Sequence, residues 1–110
     1  MKTYTVRITR QAKEHLLSIK EYIAKELLAP DAARNMIELL KKEIKSLSQM
    51  PERIKLTEEL PWRNEGIRRM RVKNYYVYFW IDEKNDRVQI ISVIYVARDQ
   101  MEQLKLMKIE

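Results

Sequence analysis

The sequence predicts an α+β domain in which an antiparallel helix hairpin packs on one face of a small, mostly antiparallel sheet. Three observations lead to this prediction. Residues 2–8 alternate as a strand does, residues 10–27 and 31–47 repeat apolar side chains at helical spacing, and three strand-like runs follow residue 66. The order of elements is therefore β-α-α-β-β-β.

Length and composition indicate one domain spanning residues 1–110. The chain is 45% hydrophobic and 35% charged, so it can bury a core and still present a heavily charged surface. One glycine and three prolines leave few places where an element can break. We therefore expect long elements joined by short connections.

Charge and cysteine content restrict the function. The formal net charge of +6 favours an acidic or polyanionic partner. The absence of cysteine excludes disulfides and thiol catalysis, and a single histidine, His15, cannot build a zinc site. We expect no metal and no cofactor. No run approaches about 18 apolar residues, so we expect a cytoplasmic protein without a membrane segment.

The two helices have recognisable beginnings. Thr9 offers an N-cap hydroxyl to the first helix, and Pro30 with Asp31 suits the first turn of the second. Pro51 follows the end of the second helix. The apolar stripes of the two helices comprise Ala12, Leu16, Ile19, Ile23 and Leu27, then Ala33, Met36, Ile37, Leu40, Ile44 and Leu47. His15 is expected on the helix surface.

Residues 51–65 show no period and are interpreted as a loop. Strands are expected at 67–73, 75–82 and about 87–96, and the first two are so close that Lys73 and Asn74 must form a tight turn. Asparagine tolerates positive φ, so we assign that conformation to Asn74. The tail at 99–108 adds a short helix or lies extended.

Alternation along the strands assigns side chains to the two faces. In the first of these strands Ile67, Arg69, Arg71 and Lys73 share one face. The last strand is expected to place Val88, Ile90, Ile94 and Val96 on one side and Ile91, Val93 and Tyr95 on the other. Strands this apolar on both sides indicate a sheet buried on both faces.

The helix hairpin can cover one face of such a sheet. We therefore expect the other face, rich in aromatic residues and flanked by cations, to be open for a partner. The alternative is that residues 97–110 fold back and complete the core. Trp62 is expected to anchor the preceding loop on the helices.

The strongest cluster of candidate binding residues is Arg69, Arg71 and Lys73. Between residues 63 and 73 the chain has five cations and one acid, a local net charge of +4. Such a strand contacts partner carboxylates or nucleic acid phosphates, or else it is simply a solvated charged strand. Both interpretations remain open from the residues alone.

Local motifs then add a resemblance to a known family. The helix exit "MPER" at 50–53, the strand pair "RRMRVKNYYVYF" at 68–79 and the ending "ARD" at 97–99 occur in the order and spacing of the RelE/ParE superfamily. The resemblance covers residues 3 to about 100. It implies a growth-arresting toxin of a bacterial type II toxin–antitoxin module, bound and neutralised by a cognate antitoxin in a hetero-oligomer.

Some members of this superfamily cut mRNA on the ribosome without a metal, through basic side chains and a general acid–base group. On this chain Arg69 and Arg71 match basic strand positions of those nucleases. Tyr76 stands where RelE has an arginine, and Val96 stands where the nucleases have arginine or histidine. Whether the chain is an enzyme is left open; a nuclease here would use Arg69, Arg71, Tyr95 and Arg98.

Valine can neither transfer a proton nor hold charge, so the resemblance favours the ParE-like branch, whose members inhibit DNA gyrase. The alternatives are a ribosome-dependent mRNA endonuclease and a degenerate, non-toxic module that binds an antitoxin or DNA. The residues expected to contact antitoxin or target are Arg68, Arg69, Arg71, Lys73, Tyr75, Tyr95 and Arg98.

Overall fold

A computed structural model describes residues 2–97. Its four strands form one sheet in the order β1-β4-β3-β2, with β1 parallel to β4 and the other pairs antiparallel. The strands are β1 (Thr5–Ile8), β2 (Ile67–Val72), β3 (Tyr75–Asp82) and β4 (Arg87–Tyr95). With two helices between β1 and β2, this confirms the α+β class and the element order.

The helices begin where the sequence predicts. Helix α1 (Arg10–Glu21) starts at Thr9, whose hydroxyl accepts a hydrogen bond from the Ala12 backbone N–H at 3.2 Å. It continues as a π-helical turn over Tyr22–Glu26. Helix α2 (Pro30–Lys45) has proline at its first position, where the missing N–H costs nothing. Within residues 2–97, no helix is long and apolar enough to span a bilayer.

The larger core lies between the helices and one face of the sheet. Apolar residues of both helical stripes pack there against inward-facing residues of every strand. Leu40, Ile44 and Phe79 are almost completely buried in this core. Burial of apolar surface on this scale is the main force that holds helices to a sheet.

The opposite face, here called the second face, carries a smaller core and is not open as expected. Its central residues, Ile67, Tyr78, Ile91 and Ile94, are buried in the single chain. Residues 57–66, here called the covering segment, pack on this face through Trp62. The expectation of an open face is therefore wrong, and Trp62 anchors its loop on the sheet rather than on the helices.

A β-bulge changes the faces of β4. The pairing with β3 shifts between Tyr78 and Phe79, so that Phe79 pairs with Ile90 and Tyr78 pairs with Ser92. One extra residue on β4 reverses the alternation beyond it. Val93 therefore lies in the helix-side core and Ile94 in the second-face core, the reverse of the expected assignment.

β1 pairs with only the first part of β4. The rest of that edge of β4 forms hydrogen bonds with side chains of the first helix and its N-cap. Thr9 donates its hydroxyl hydrogen to the Ile90 carbonyl at 2.8 Å, and Gln11 Nε2 donates to the Ile91 carbonyl at 2.8 Å. His15 Nδ1 accepts a hydrogen bond from the Val93 N–H at 3.1 Å. His15 is thus half-buried, and its expected place on the helix surface is wrong.

The hairpin turn between β2 and β3 also differs in detail. Lys73, with φ of 54°, is the left-handed residue, whereas Asn74 is not among the residues with positive φ. The expected short tail element at 99–108 and the alternative in which residues 97–110 complete the core lie beyond residue 97, outside the described residues.

Candidate functional site

Two predicted arginines converge on one tyrosine ring of the second face. Arg69 and Arg71 leave β2 on the same side, and Arg71 pairs with Tyr76 of β3. Their guanidinium carbons lie 4.2 and 5.8 Å from the centre of the Tyr76 ring. Cations at this distance are attracted by the negative face of an aromatic ring. The alternation that predicts a shared face for these arginines is confirmed by the pairing.

A carboxylate of the covering segment holds one of these arginines. Arg69 Nη1 lies 2.9 Å from Glu59 Oε2 and 3.2 Å from Oε1. The Thr57 hydroxyl donates to the same carboxylate at 2.8 Å, and the Tyr78 hydroxyl donates to it at 3.2 Å. The Glu59 and Arg69 side chains are 15% and 26% exposed, so this ion pair is well shielded from water.

This network shifts the proton affinities of its members. Burial alone would lower the pKa of Arg69, but the adjacent Glu59 carboxylate and the tyrosine hydroxyls raise it above its usual value. Burial is the main cause that raises the pKa of Tyr78 above its usual value, and the nearby Glu59 charge adds to the effect. Arg69 therefore stays cationic and Tyr78 stays neutral at any physiological pH.

A pocket of about 380 Å³ opens beside this network at the β2 edge of the sheet. Its lining consists of Arg53, Ile54, Lys55, Leu56, Glu58, Arg69, Met70 and Arg71. Four cations face one carboxylate in this set, so the pocket favours anions. Arg53, Lys55 and Arg71 are exposed and Arg69 is half-buried, but Arg53 is already bonded to the Gln49 and Met50 carbonyls at the end of the second helix.

The remaining predicted site residues are placed elsewhere. Arg68 points to the helix side of the sheet and donates to the Ile54 carbonyl at 2.5 Å. Lys73 is exposed in the hairpin turn, where its carbonyl accepts from Arg71 Nε at 2.9 Å.

Tyr75 and Tyr95 face each other across β3 and β4 with ring centres 5.5 Å apart. Tyr75 is buried in the helix-side core, while Tyr95 is more exposed. These rings are on the opposite face from Arg69 and Arg71. Arg98 lies outside the described residues, and the other six predicted residues do not form one cluster.

Sequence reasoning misses the most connected acid of the site. Glu59 lies in a stretch without period, which is interpreted as a loop, and its partner Arg69 is ten residues away. The available signal is weak: a pair of glutamates, Glu58 and Glu59, just before a strongly basic strand. Within residues 2–97, no three His, Asp or Glu side chains come together as metal ligands would.

Comparison with known proteins decides the family. A family model described as "ParE toxin of type II toxin-antitoxin system, parDE" matches residues 6–100. The chain belongs to the ParE toxin family. This confirms the resemblance carried by the motifs, and it identifies the chain as a member of the type II toxins. Among curated proteins, no sequence matches this ParE-family chain.

Solved structures with this fold come from both branches of the superfamily. The chromosomal ParDE toxin–antitoxin system of P. aeruginosa is similar with a TM-score of 0.72 at 18% identity, covering 86% of this chain and 97% of that one. The RelBE2 toxin–antitoxin complex of Mycobacterium tuberculosis gives 0.57 at 23% identity, covering 84% and 98%. A mutant of E. coli RelE in the free state gives 0.61 at 14% identity, covering 92% of each chain.

Proposed function

We propose that this ParE-family chain is the toxin of a toxin–antitoxin module, that a cognate antitoxin neutralises it, and that it arrests growth by inhibiting DNA gyrase. The observation that carries the target assignment is the chemistry at two positions. Tyr76 and Val96 stand where the resemblance places the basic and acid–base groups of the nucleases. Neither side chain can hold a positive charge, and valine cannot move a proton.

The contacts around Arg69 support the same assignment. Its guanidinium is bonded to Glu59 and covered on one side by the Tyr76 ring. A nuclease needs free cations aimed at the phosphate that becomes pentavalent. Here the best-placed cation already has a carboxylate partner. The match of the ParE toxin model over residues 6–100 also favours gyrase over the ribosome.

The antitoxin is proposed from the solved relatives and from charge. The P. aeruginosa ParDE system and the M. tuberculosis RelBE2 complex are named as toxin–antitoxin assemblies. This chain has a net charge of +6 and a basic pocket at the β2 edge. An acidic antitoxin segment complements that surface.

The test is controlled expression in bacteria followed by two measurements on the same culture. We expect growth arrest, accumulation of gyrase–DNA cleavage complexes and intact mRNA. Coexpression of the cognate antitoxin should restore growth. Normal gyrase activity in the presence of stoichiometric purified toxin would contradict the proposed target.

A second candidate, a ribosome-dependent mRNA endonuclease, is favoured by the convergence of Arg69 and Arg71 on one ring. It predicts cuts at codon positions in translated mRNA, and it predicts that Arg69→Gln abolishes them. Arg34→Gln is the matched control, because Arg34 also pairs with an acid at 2.9 Å but lies exposed on α2. Growth without arrest, with antitoxin binding retained, would instead indicate a degenerate module.

A further inference from the structure

The Glu59 carboxylate is unusually well supported for a side chain outside a helix or strand. It accepts hydrogen bonds from Thr57, Arg69 and Tyr78, and it is 15% exposed. A buried carboxylate requires such partners, because desolvation of an unpaired charge is costly. The covering segment is thus built to hold an anion against Arg69.

The geometry of Arg69 shows that the Glu59 carboxylate occupies a site where an external oxyanion would bind. The guanidinium carbon lies 4.2 Å from the centre of the Tyr76 ring, and Nη1 donates to both Glu59 oxygens, at 2.9 and 3.2 Å. Oxyanions bind arginine through such N–H groups. An external oxyanion that binds Arg69 through Nη1 therefore has to displace the Glu59 carboxylate.

The surroundings of Arg69 would suit an anion with more than one charge. Lys55 and Arg71 line the adjoining pocket of about 380 Å³, next to Arg69 itself. Both are exposed to solvent, so a ligand can reach them while Arg69 is still bonded to Glu59. The Arg71 guanidinium shares the Tyr76 ring with Arg69, which keeps the two cations on the same face.

We propose that the Glu59 carboxylate competes with external anions for Arg69. A phosphate-bearing ligand contacts Arg69, Arg71 and Lys55 together only after the Glu59 side chain has moved away from Arg69. The contact is therefore autoinhibitory for anion binding. It is a property of the covering segment and does not depend on whether gyrase or the ribosome is the target.

The carboxylate can leave without dismantling the segment. The backbone of the covering segment is fixed independently, through the Thr57 N–H to the Ile67 carbonyl at 2.9 Å and through Trp62 in the second-face core. Rotation of the Glu59 side chain toward solvent is therefore sufficient to free Arg69 Nη1. A charged ligand provides the replacement that this exchange requires.

The experiment measures binding of inorganic pyrophosphate to the purified chain by calorimetry and by the NMR signal of the Arg69 side chain. Glu59→Gln removes the competing charge with little change in shape, and we expect it to raise the affinity at least about tenfold over wild type. Glu65→Gln is the matched control, because it removes the same charge from another position of the same segment, where the side chain has more access to solvent. It should change the affinity much less.

The double variant Glu59→Gln with Arg69→Gln should not show the increased affinity for pyrophosphate. The proposal is overturned if folded Glu59→Gln binds no more tightly than wild type, if Glu65→Gln gains as much, or if the gain survives loss of Arg69. Should Glu59→Gln fail to fold, Thr57→Val replaces it, because it removes the 2.8 Å hydroxyl bond that supports the carboxylate. Thr57→Val should then bind more tightly than Thr57→Ser, which keeps the hydroxyl, and equal affinities would overturn the proposal.

Discussion

His15 shows how one side chain joins the first helix to the sheet. Its Nδ1 accepts a hydrogen bond from the backbone N–H of Val93, on an edge of β4 that β1 does not reach. A protonated imidazole has no lone pair left to accept this bond. Burial lowers the pKa of His15, while the nearby Glu14 charge opposes that shift. The folded state therefore prefers neutral His15.

The first prediction is that acid weakens the fold through His15. The unfolded chain takes up a proton near pH 6.5, whereas the folded chain resists it until a lower pH. The contribution of neutral His15 to the free energy of unfolding should thus be fully present above about pH 6.5. It should be lost as the pH falls through the pKa of His15 in the folded state.

Urea unfolding at several pH values checks this prediction. In His15→Gln the amide oxygen can still accept from Val93 but does not titrate, so its stability should decline less over the same pH interval. An equal decline in both proteins would show that other groups cause the pH dependence.

At the same scale, single residues show where sequence reasoning stops. Alternation along β2 is a local property, and it is enough by itself to place Arg69 and Arg71 on one face. The partner of Arg69 depends on how residues 57–66 cross the sheet, which no local pattern records. For this reason the sequence does not reveal the role of Glu59, and it places Trp62 on the wrong surface.

At the scale of the elements, the connection between the two helices has a strained backbone. Leu28 has φ of 51° and is 83% exposed, although left-handed backbone disfavours a residue with a β-carbon. It follows the π-helical turn, a position where helices usually place glycine. The side chain thus adds strain and contributes little burial.

The second prediction is that Leu28→Gly stabilises the chain by about 1 kcal/mol, because glycine adopts this conformation without a steric penalty. Leu28→Ala is the control, since alanine keeps the β-carbon and removes the same exposed apolar group. Thermal and urea unfolding of the three proteins measure the difference. A gain in Leu28→Ala equal to that in Leu28→Gly would attribute the effect to lost apolar surface instead.

Element boundaries are predictable where a residue has a specific local role. Thr9 caps the first helix and Pro30 opens the second, as expected. The "MPER" motif also has a structural function: Arg53 donates to the Gln49 and Met50 carbonyls and to the Ser46 hydroxyl, which closes the end of the helix. The bulge opposite Tyr78 and Phe79 has no such marker, so alternation assigns the faces of β4 correctly only up to it.

At the scale of the whole molecule, the sheet has a core on each side. Ile44 lies in the helix-side core and Ile67 in the second-face core, and both are almost completely inaccessible to solvent. The class and the element order follow from periodicity, and burial on both faces is expected from apolar strands. The covering of the second face by residues 57–66 cannot be predicted in this way, because it depends on the path of a segment without period.

The third prediction compares the two cores. Ile67→Ala and Ile44→Ala should each lower the free energy of unfolding by about 2–5 kcal/mol, because both leave a cavity in a packed interior. Leu60→Ala, at a residue of the covering segment that is 61% exposed, should change it by less than about 0.5 kcal/mol. Urea unfolding gives all three values. A small loss for Ile67→Ala alone would mean that the second face is solvated in solution.

The central position of β4 has a consequence for protein synthesis. This strand is made after β1, β2 and β3, yet it lies between β1 and β3 and pairs with both. A nascent polypeptide that has not reached Arg87 holds an N-terminal strand and a hairpin with nothing to join them. Completion of the sheet must therefore wait until β4 has been translated, and premature termination upstream leaves an unpaired hairpin edge prone to aggregation.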